Sequence, residues 1–491
     1  MLGDYRFMKS KIVISFLLCS AGLFAQLLTP LEQSNYTRLT TNAELVKYIQ
    51  SVIIQSPWIS MDTLAFSVNG KPLPMVTISK GKHKAKIKVL IFAQQHGNEP
   101  SGKEGALMLL RDIAKGTLDN VLQKITLYLV PQMNPDGNDI NVRRNGNGMD
   151  LNRNHMIMTE PEVIGLHELY AKIDPEVTLD VHEYSPYGNE WKEYGYRKNS
   201  EETIGLMTNP NTDDALRSFQ RDAFLPFLYS YMQEKKVRFG EYTPMGPPNK
   251  ERMRNSTVDI NDGRQSFGIL GSFSFIQEGM NGLDSIDNIR RRSEGQCIAL
   301  SGFITFMNNN ADTIRTMVKK AKATRSDRAM TAIQMDHVSD GEKTLKFSSY
   351  DGLRDTTIVT TNYHTKVVPL LTVNQPKGYL VPKSDAKLKD FLAKHKFNVV
   401  QYKSSKNDVV KQYEVEYDSS LVIEEFVIPV KSAQLKKITI KAADYLFVPI
   451  KQRQAQMLIQ AFEPQCMINL LQYERFGYLM KEKIYPILRV E

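Results

Sequence analysis

The sequence predicts an α/β domain, in which helices pack on a β-sheet, followed by a smaller β-rich α+β domain. Apolar strand-like runs alternate with helical patterns between about Thr37 and Asn310, and this order builds a sheet covered by helices. Beyond His337, alternating apolar and polar residues indicate strands interrupted by two amphipathic helices. The 491 residues are enough for two or three domains of ordinary size.

The first 25 residues have the pattern of a secretory signal. Arg6, Lys9 and Lys11 precede an apolar run over residues 12–24, and Ala25 supplies a small residue at the expected cleavage position. The run is shorter than the about 20 residues that a bilayer-spanning helix needs. We therefore expect a secreted or periplasmic protein, cleaved near Ala25, with no stable membrane insertion.

Four apolar segments predict strands of the α/β domain. They cover residues 85–93, 125–130, 177–181 and 273–276. Residues 101–114, between the first two strands, show a helical period, and Gly116 provides a stop. A further helix is predicted at 215–235, surrounded by long polar loops, which in compact domains usually carry function or are disordered.

The second domain begins after a polar helix predicted at 312–325. The turn-rich segment 337–343 follows it, and then come strands at 356–361, 412–417 and 419–429, with helices at 384–395 and 453–461. We expect a catalytic domain over residues 26–325 and an accessory domain over 326–491. The accessory domain shows no metal or nucleophile motif.

Charge and cysteine content limit the class of protein. The net charge is +9, from 63 basic and 54 acidic residues that are not concentrated in one tract, so we expect no nucleic-acid partner. Beyond the signal, Cys297 and Cys466 allow at most one disulfide, and the fold must therefore rest on its hydrophobic core. The sequence gives no indication of the oligomeric state.

The first candidate for chemistry is the pair His96 and Glu99, just after the strand that ends at Ala93. A histidine and a glutamate three residues apart, at a strand-to-helix corner, can point at one metal ion. Zinc binds imidazole nitrogen and carboxylate oxygen, and a catalytic zinc site has three protein ligands and one open position. The His-x-x-Glu pair alone is a weak signal because chance produces it often.

Further motifs follow it in order along the chain. They are Asn134-Pro135-Asp136-Gly137, Asp150-Leu151-Asn152-Arg153-Asn154, a single His182 at the end of a strand, and Glu278 at the end of a later strand. In this order the set resembles the zinc carboxypeptidases of the carboxypeptidase A type, over about residues 93–279. The resemblance implies a mixed eight-stranded sheet between helices, with the active site at the carboxyl ends of the strands.

The same resemblance assigns a metal site. It implies that His96, Glu99 and His182 bind Zn²⁺. Asp150 matches the carboxylate that orients the first histidine, a contact that fixes the tautomer of the imidazole. Glu278 matches the general base, which takes a proton from the zinc-activated water as that water attacks.

The resemblance also assigns residues to the substrate. Asn152 and Arg153 match the pair that binds a terminal carboxylate, for which the planar guanidinium is suited because it can bind both oxygens. Arg143 matches the arginine that polarises the scissile carbonyl, and the adjacent Arg144 is the alternative if the register slips by one. These residues imply a peptide substrate with a free C-terminal carboxylate.

Two features depart from the family pattern. Family members carry a tyrosine on a mobile loop shortly before the glutamate, and here the candidates are Tyr242, Tyr194 and Tyr196. Many members also have an arginine where this chain has Met280, and Arg264 is the candidate for a replacement positive charge.

Three functions fit these motifs. The leading one is a zinc metallocarboxypeptidase that removes C-terminal residues from peptides, with cell-wall peptides among the substrates. The alternatives are a small-molecule amide deacylase of the aspartoacylase-like type and a non-catalytic binding protein on the same fold. His155 is expected at the pocket rim and His167 on an ordinary helix face.

Overall fold

The computed structural model describes residues 27–81, 83, 85–244 and 246–491. The predicted signal, residues 1–25, lies outside this part of the chain. Within the described ranges, no helix combines the length and apolar character needed to cross a membrane.

The described residues up to 325 contain ten strands. They are β1 (Ile59–Phe66), β2 (Pro72–Ile78), β3 (Ile87–Ala93), β4 (Ile125–Val130), β5 (Val177–Tyr184), β6 (Tyr196–Lys198), β7 (Glu202–Gly205), β8 (Phe239–Glu241), β9 (Met253–Arg254) and β10 (Phe273–Met280). Eight of them form one sheet in the order β1-β2-β4-β3-β5-β10-β7-β8. The inner strands β4, β3, β5 and β10 are parallel, while β1, β2 and β4 pair antiparallel, as do β10 and β7. The prediction of a mixed sheet is confirmed.

The helices of this part cover both faces of the sheet. They are α1 (Pro30–Gln33), α2 (Asn42–Gln55), α3 (Ser101–Ala114), α4 (Pro135–Asp139), α5 (Pro161–Ile173), α6 (Asn189–Tyr194), α7 (Asp214–Phe219), α8 (Leu225–Glu234), α9 (Gly263–Gly268), α10 (Ile289–Asn309) and α11 (Ala311–Thr324). The helix predicted at 215–235 is α7 and α8, joined by a π-helical turn.

The residues of β3 show why both faces are covered. Val89 and Ile91 belong to the core under α3 and α10, whereas Leu90 and Phe92 belong to the core under α5 and α9. Successive side chains of a strand point to opposite faces, so a strand that is apolar on both faces needs a helical layer on each side.

The remaining elements form a β-rich part with two helices. They are β11 (Met330–Val338), β12 (Lys343–Ser349), β13 (Asp355–Thr360), β14 (Tyr363–His364), β15 (Lys366–Asn374), β16 (Gly378–Pro382), α12 (Ala386–Lys394), β17 (Val400–Gln401), β18 (Val410–Ile423), β19 (Phe426–Lys437), β20 (Tyr445–Pro449), α13 (Ala455–Phe462) and β21 (Ile484–Val490). A six-stranded antiparallel sheet, in the order β17-β20-β16-β21-β18-β19, packs against α12 and α13.

The hairpin of β18 and β19 differs from the sequence prediction. The sequence predicted two strands, at 412–417 and 419–429, but β18 continues through the polar residues 418–420 to Ile423, and the turn is at Glu424 and Glu425. The strand register shifts between Tyr417 and Leu421. The polar residues are therefore accommodated as an irregularity within a long hairpin, where a bulge leaves extra residues unpaired.

The two parts of the chain also pair through short strands. β6 pairs with β12, and β9 pairs with β14. Both β6 and β9 belong to the long loops between β5 and β10. The C-terminal part is thus in contact with the loops that surround the carboxyl ends of the central strands.

Candidate active site

Three adjacent parallel strands bring the predicted residues together. His96 follows β3, His182 lies in β5, and Glu278 lies in β10. The register pairs Glu278 directly with His182 across β5 and β10. Parallel strands end at the same edge of a sheet, so residues far apart in sequence meet there.

The three predicted metal ligands form one buried cluster. Donor atoms of His96, Glu99 and His182 lie within 4.8 Å of one another, and no other group of three such residues is found among the described residues. Nδ1 of His96 is 2.8 Å from Glu99 Oε1, and Nδ1 of His182 is 2.9 Å from Glu99 Oε2. The side chains thus converge on one point from β5 and from the corner before α3.

The other nitrogen of each imidazole faces a carboxylate. Nε2 of His96 is 3.1 Å from Asp150 Oδ1, as the sequence predicts, and Nε2 of His182 is 2.8 Å from Asp180 Oδ1. Asp180 was missed in the sequence analysis. Its signal was its position two residues before His182 on the same strand, which places both side chains on one face.

This donor set fits a zinc ion. With Nε2 turned toward a carboxylate, a neutral histidine carries its proton on Nε2 and its lone pair on Nδ1. The Nδ1 atoms of His96 and His182 and the carboxylate of Glu99 would then be three converging electron-pair donors. Two imidazole nitrogens and one carboxylate oxygen form a three-ligand set known for catalytic zinc.

Arg143 lies at the edge of this cluster. Its Nε donates to Asp150 Oδ2 at 2.9 Å, and its Nη1 is 3.1 Å from His96 Nδ1. Arg144 instead donates to the carbonyl of Gly148 on the surface. Of the two arginines that the sequence left open, Arg143 is the one at the site.

The side chains of Asn152 and Arg153 differ in their exposure. The Asn152 side chain is 4% exposed, and its Oδ1 accepts hydrogen bonds from the backbone of Gly263 and from Gln95. The Arg153 side chain is 40% exposed. Arg153 therefore presents the accessible donors, while Asn152 ties the loop to its surroundings.

A cavity of about 320 Å³ opens at this cluster. Of the residues predicted from the sequence, those that line it are His96, Glu99, Arg143, Asn152, Arg153 and Glu278, whereas His182 and Asp150 are not part of its lining. Tyr242 lines it too, whereas Tyr194 and Tyr196 pack in an aromatic cluster with Phe347. Tyr242 is thus the one of the three candidate tyrosines in the cavity wall.

The acidic residues around the cavity have altered pKa values. Burial raises the pKa of Glu278 to about 8, and the charges of Glu99 and Asp180 add to the rise. His182 and Arg143 oppose it. A cation bound at the donor cluster would also oppose it, since a nearby positive charge favours the carboxylate.

Burial likewise raises the pKa of Tyr242 well above its usual range, and the Glu278 carboxylate adds to the rise. Tyr242 is therefore a neutral phenol that can donate a hydrogen bond into the cavity.

Arg264, the candidate for a replacement charge, is fully buried and does not line the cavity. Its Nη2 donates to Asp262 Oδ2 at 2.9 Å and to Thr257 Oγ1 at 2.7 Å. Its charge is compensated by Asp262, which itself lines the cavity. Arg264 therefore supports the wall and offers no free charge to a substrate.

Two further residues have clear structural positions. His155 is fully buried, and its Nε2 is 2.9 Å from Gln95 Oε1, so its expected place at the rim is wrong. Gln95 in turn donates to Asp180 Oδ2 at 2.7 Å. Glu183 lies in the cavity wall, but Arg292 and the backbone of Ser101 hold its carboxylate.

Proteins with sequences similar to this chain include several that are named carboxypeptidases. Residues 45–267 match the family model described as zinc carboxypeptidase. Carboxypeptidase 2 of Trichophyton rubrum is 23% identical over 368 residues, which cover 70% of this chain and 66% of the relative. Carboxypeptidase 2 of Trichophyton tonsurans is 22% identical over 483 residues, covering 92% and 87%. Carboxypeptidase SOL1 of Arabidopsis thaliana is 34% identical over 125 residues, 23% of this chain and 25% of the relative.

A solved structure, the metallo-carboxypeptidase from Burkholderia cenocepacia, overlaps with a TM-score of 0.44 at 18% identity, over 56% of this chain and 71% of that one. The matched family segment contains the donor cluster, Arg143, Asp150, Asn152 and Arg153. Glu278 lies beyond the end of that segment.

Proposed function

We propose that this chain, whose residues 45–267 match the zinc carboxypeptidase family model and whose relatives include proteins named carboxypeptidase 2, is a metallocarboxypeptidase that removes single residues from the free C-terminus of peptides. In this proposal one Zn²⁺ is bound by His96, Glu99 and His182. The observation that supports it most is one cavity lined by His96 and Glu99 of the donor cluster, by the buried carboxylate of Glu278 and by the partly exposed side chain of Arg153.

The donor cluster, Glu278 and Arg143 have separate roles in the proposed reaction. A zinc ion at the donor cluster would polarise the scissile carbonyl and lower the pKa of a water molecule. Glu278 accepts the proton of the attacking water and returns it to the leaving amine. The Nη groups of Arg143 donate to the oxygen that gains negative charge, a form of stabilisation that is strong in an enclosed site.

Arg153 determines which bond is cut. A guanidinium binds a carboxylate through two parallel hydrogen bonds, which fix orientation as well as position. A free C-terminal carboxylate on Arg153 would place the preceding amide bond toward Glu278 and the donor cluster. An internal peptide bond has no such anchor, so the geometry favours removal of the last residue.

We also propose that the protein acts outside the cytoplasm. The signal-like pattern of residues 1–25 supports this. Peptides of the cell wall then belong to the available substrates.

The deciding experiment compares three substrates with the zinc-loaded protein. They are a peptide with a free C-terminus, the same peptide as its C-terminal amide, and an N-acetyl amino acid, with products identified by mass spectrometry. We expect sequential loss of residues from the free-acid peptide only. Rapid cleavage of the N-acetyl amino acid alone would favour the deacylase, and binding without turnover of any substrate would favour a non-catalytic protein.

A further inference from the structure

Arg153 is in contact with the C-terminal part of the chain. The hydroxyl of Tyr473 lies 3.5 Å from the carbonyl oxygen of Arg153, across 320 positions of sequence. The same hydroxyl accepts a hydrogen bond of 3.2 Å from Asn261 Nδ2. A phenol has one proton to donate and can accept as well, so Tyr473 bridges the arginine's backbone to the loop before α9.

The guanidinium of Arg153 has a buried acidic neighbour on that loop. Nη2 of Arg153 is 3.9 Å from Asp259 Oδ2, and the Asp259 side chain is 1% exposed. Among the described residues, neither carboxylate oxygen of Asp259 has a hydrogen-bond partner. Burial raises the pKa of Asp259 to about 6, and the charge of Arg153 opposes this rise most strongly. An ionised carboxylate at this depth depends on a nearby cation.

The loop that carries Asp259 is itself held by the C-terminal part. β9 pairs with β14, and Nε2 of His337 is 3.0 Å from the carbonyl oxygen of Asn255. Glu424, at the turn of the β18–β19 hairpin, contacts both Arg254 and His337, and all three side chains are buried. The position of Asp259 is therefore set by contacts outside the catalytic part of the chain.

We propose that the C-terminal part completes the carboxylate-binding end of the active site, with Tyr473 and Asp259 as positioning residues for Arg153. The inference rests on the proposed function, because it assigns supports to the arginine that would bind the substrate carboxylate. Tyr473 fixes the backbone of Arg153, and Asp259 fixes the direction of its guanidinium. Without Asp259, the guanidinium keeps the 2.9 Å hydrogen bond from its Nη1 to the carbonyl oxygen of Asn152, but Asp150, whose charge also acts on it, would draw it away from the position set by Asp259.

Tyr473 and Asp259 hold Arg153 in place before the substrate binds, so their loss should raise KM. Holding a flexible side chain in its binding conformation reduces the ordering cost of association. We expect Asp259→Asn to raise KM for a free-acid peptide about tenfold, the effect of losing one contact to a charged group. Tyr473→Phe, which removes a longer contact, should raise it about threefold. kcat, zinc content and thermal stability should stay near wild type in both variants.

The test measures kcat and KM for a free-acid peptide and its amide, together with the Kd of an inhibitor that carries a free carboxylate for Arg153, such as a substituted succinic acid. Tyr478→Phe and Asp408→Asn are matched controls. The hydroxyl of Tyr478 bonds to Asp385, and Asp408 pairs with Lys377, so neither pair includes Arg153 or the loop that carries Asp259. A smaller preference for the free acid and weaker inhibitor binding, in the two test variants only, would support the inference.

The outcomes separate the inference from the function on which it rests. A wild-type enzyme that prefers the free acid, with unchanged preference in Asp259→Asn and Tyr473→Phe, overturns the positioning role and leaves the carboxypeptidase intact. A wild-type enzyme without any free-acid preference overturns the proposed function and the inference together. If either variant loses zinc or unfolds, the inhibitor Kd of the other variant decides.

Discussion

The imidazoles of His96 and His182 face each other through the same ring atom, with their Nδ1 atoms 3.1 Å apart. The far side of each ring is held by an aspartate, Asp150 for His96 and Asp180 for His182. Two neutral imidazoles held in this way would direct their lone pairs at each other. A shared cation removes that conflict, and the aspartates increase the basicity of both rings toward it.

The first prediction concerns metal content. We expect about one zinc per chain in the purified protein, the content of a three-ligand catalytic site. His182→Ala should lose most of the zinc, and Asp180→Asn should weaken zinc affinity about 10- to 100-fold because it disturbs the orientation of His182. Metal analysis and competition with a chelator measure both effects. His83→Ala, which changes an exposed histidine, is the control, and full zinc in both His96→Ala and His182→Ala would contradict the site.

The second prediction isolates Glu278. Glu278→Gln keeps the size of the side chain but cannot accept a proton, so kcat should fall about 100-fold or more with zinc still bound. Single-turnover kinetics on a free-acid peptide measure the change. If Glu278→Gln remains active, another group is the base. Glu183 would be tested next, although Arg292 already holds its carboxylate.

Much of this site was predictable because its residues follow strands directly. His96, His182 and Glu278 each stand at the end of an apolar run, and the ends of parallel strands meet at one edge. Asp180 was predictable in principle from its spacing to His182. Contacts that depend on distant parts of the chain were not predictable, and Tyr473 beside Arg153 is an example.

The long loops between β5 and β10 also contain residues whose positions the local sequence does not determine. Tyr242 was the nearest candidate before Glu278, and Tyr194 and Tyr196 stayed open as alternatives, because nothing local distinguishes a cavity wall from an aromatic cluster. Packing with β12 draws Tyr194 and Tyr196 away from the cavity. The strand bounds 412–417 and 419–429 were wrong for a related reason, because the extent of β18 and the place of its turn depend on pairing with β19, which the local sequence does not reveal.

The third prediction tests Tyr242. Its neutral phenol lines the cavity near Glu278, so loss of the hydroxyl should remove one neutral hydrogen bond to the bound substrate. We expect Tyr242→Phe to lower kcat/KM about fivefold, the effect of a contact of about 1 kcal/mol. Tyr194→Phe, in the aromatic cluster, should leave kcat/KM unchanged. An equal loss in both variants, or a loss in Tyr194→Phe alone, would show that the tyrosine was wrongly assigned.

The fourth prediction concerns stability of the C-terminal part. Glu463 is buried and ion-paired with Arg489, and the hydroxyls of Tyr379 and Tyr413 also donate to it. Arg489→Met would leave this carboxylate without its cation, so the free energy of unfolding should fall by about 3–5 kcal/mol. Denaturant unfolding measures the loss. Arg475→Met, which breaks a partly exposed pair with Asp390, should cost less than about 1 kcal/mol.

The last prediction addresses substrate polarity. A free carboxylate on Arg153 forms a charge-assisted pair, whereas an amide leaves the guanidinium with a weaker partner. Loss of such a contact costs about 1.5–3 kcal/mol, which corresponds to about ten- to a hundredfold in kcat/KM. We therefore expect wild-type enzyme to prefer the free acid by that factor, and Arg153→Ala to abolish the preference.

Arg153→Lys provides the matched control for this experiment. Lysine keeps the charge but lacks the planar fork, so the preference should be intermediate. A preference that survives in Arg153→Ala would mean that another cation anchors the carboxylate. Arg264 is a poor substitute because Asp262 compensates its charge and it does not line the cavity. Arg143, with 43% of its side chain exposed at the cavity, would then be the residue to replace.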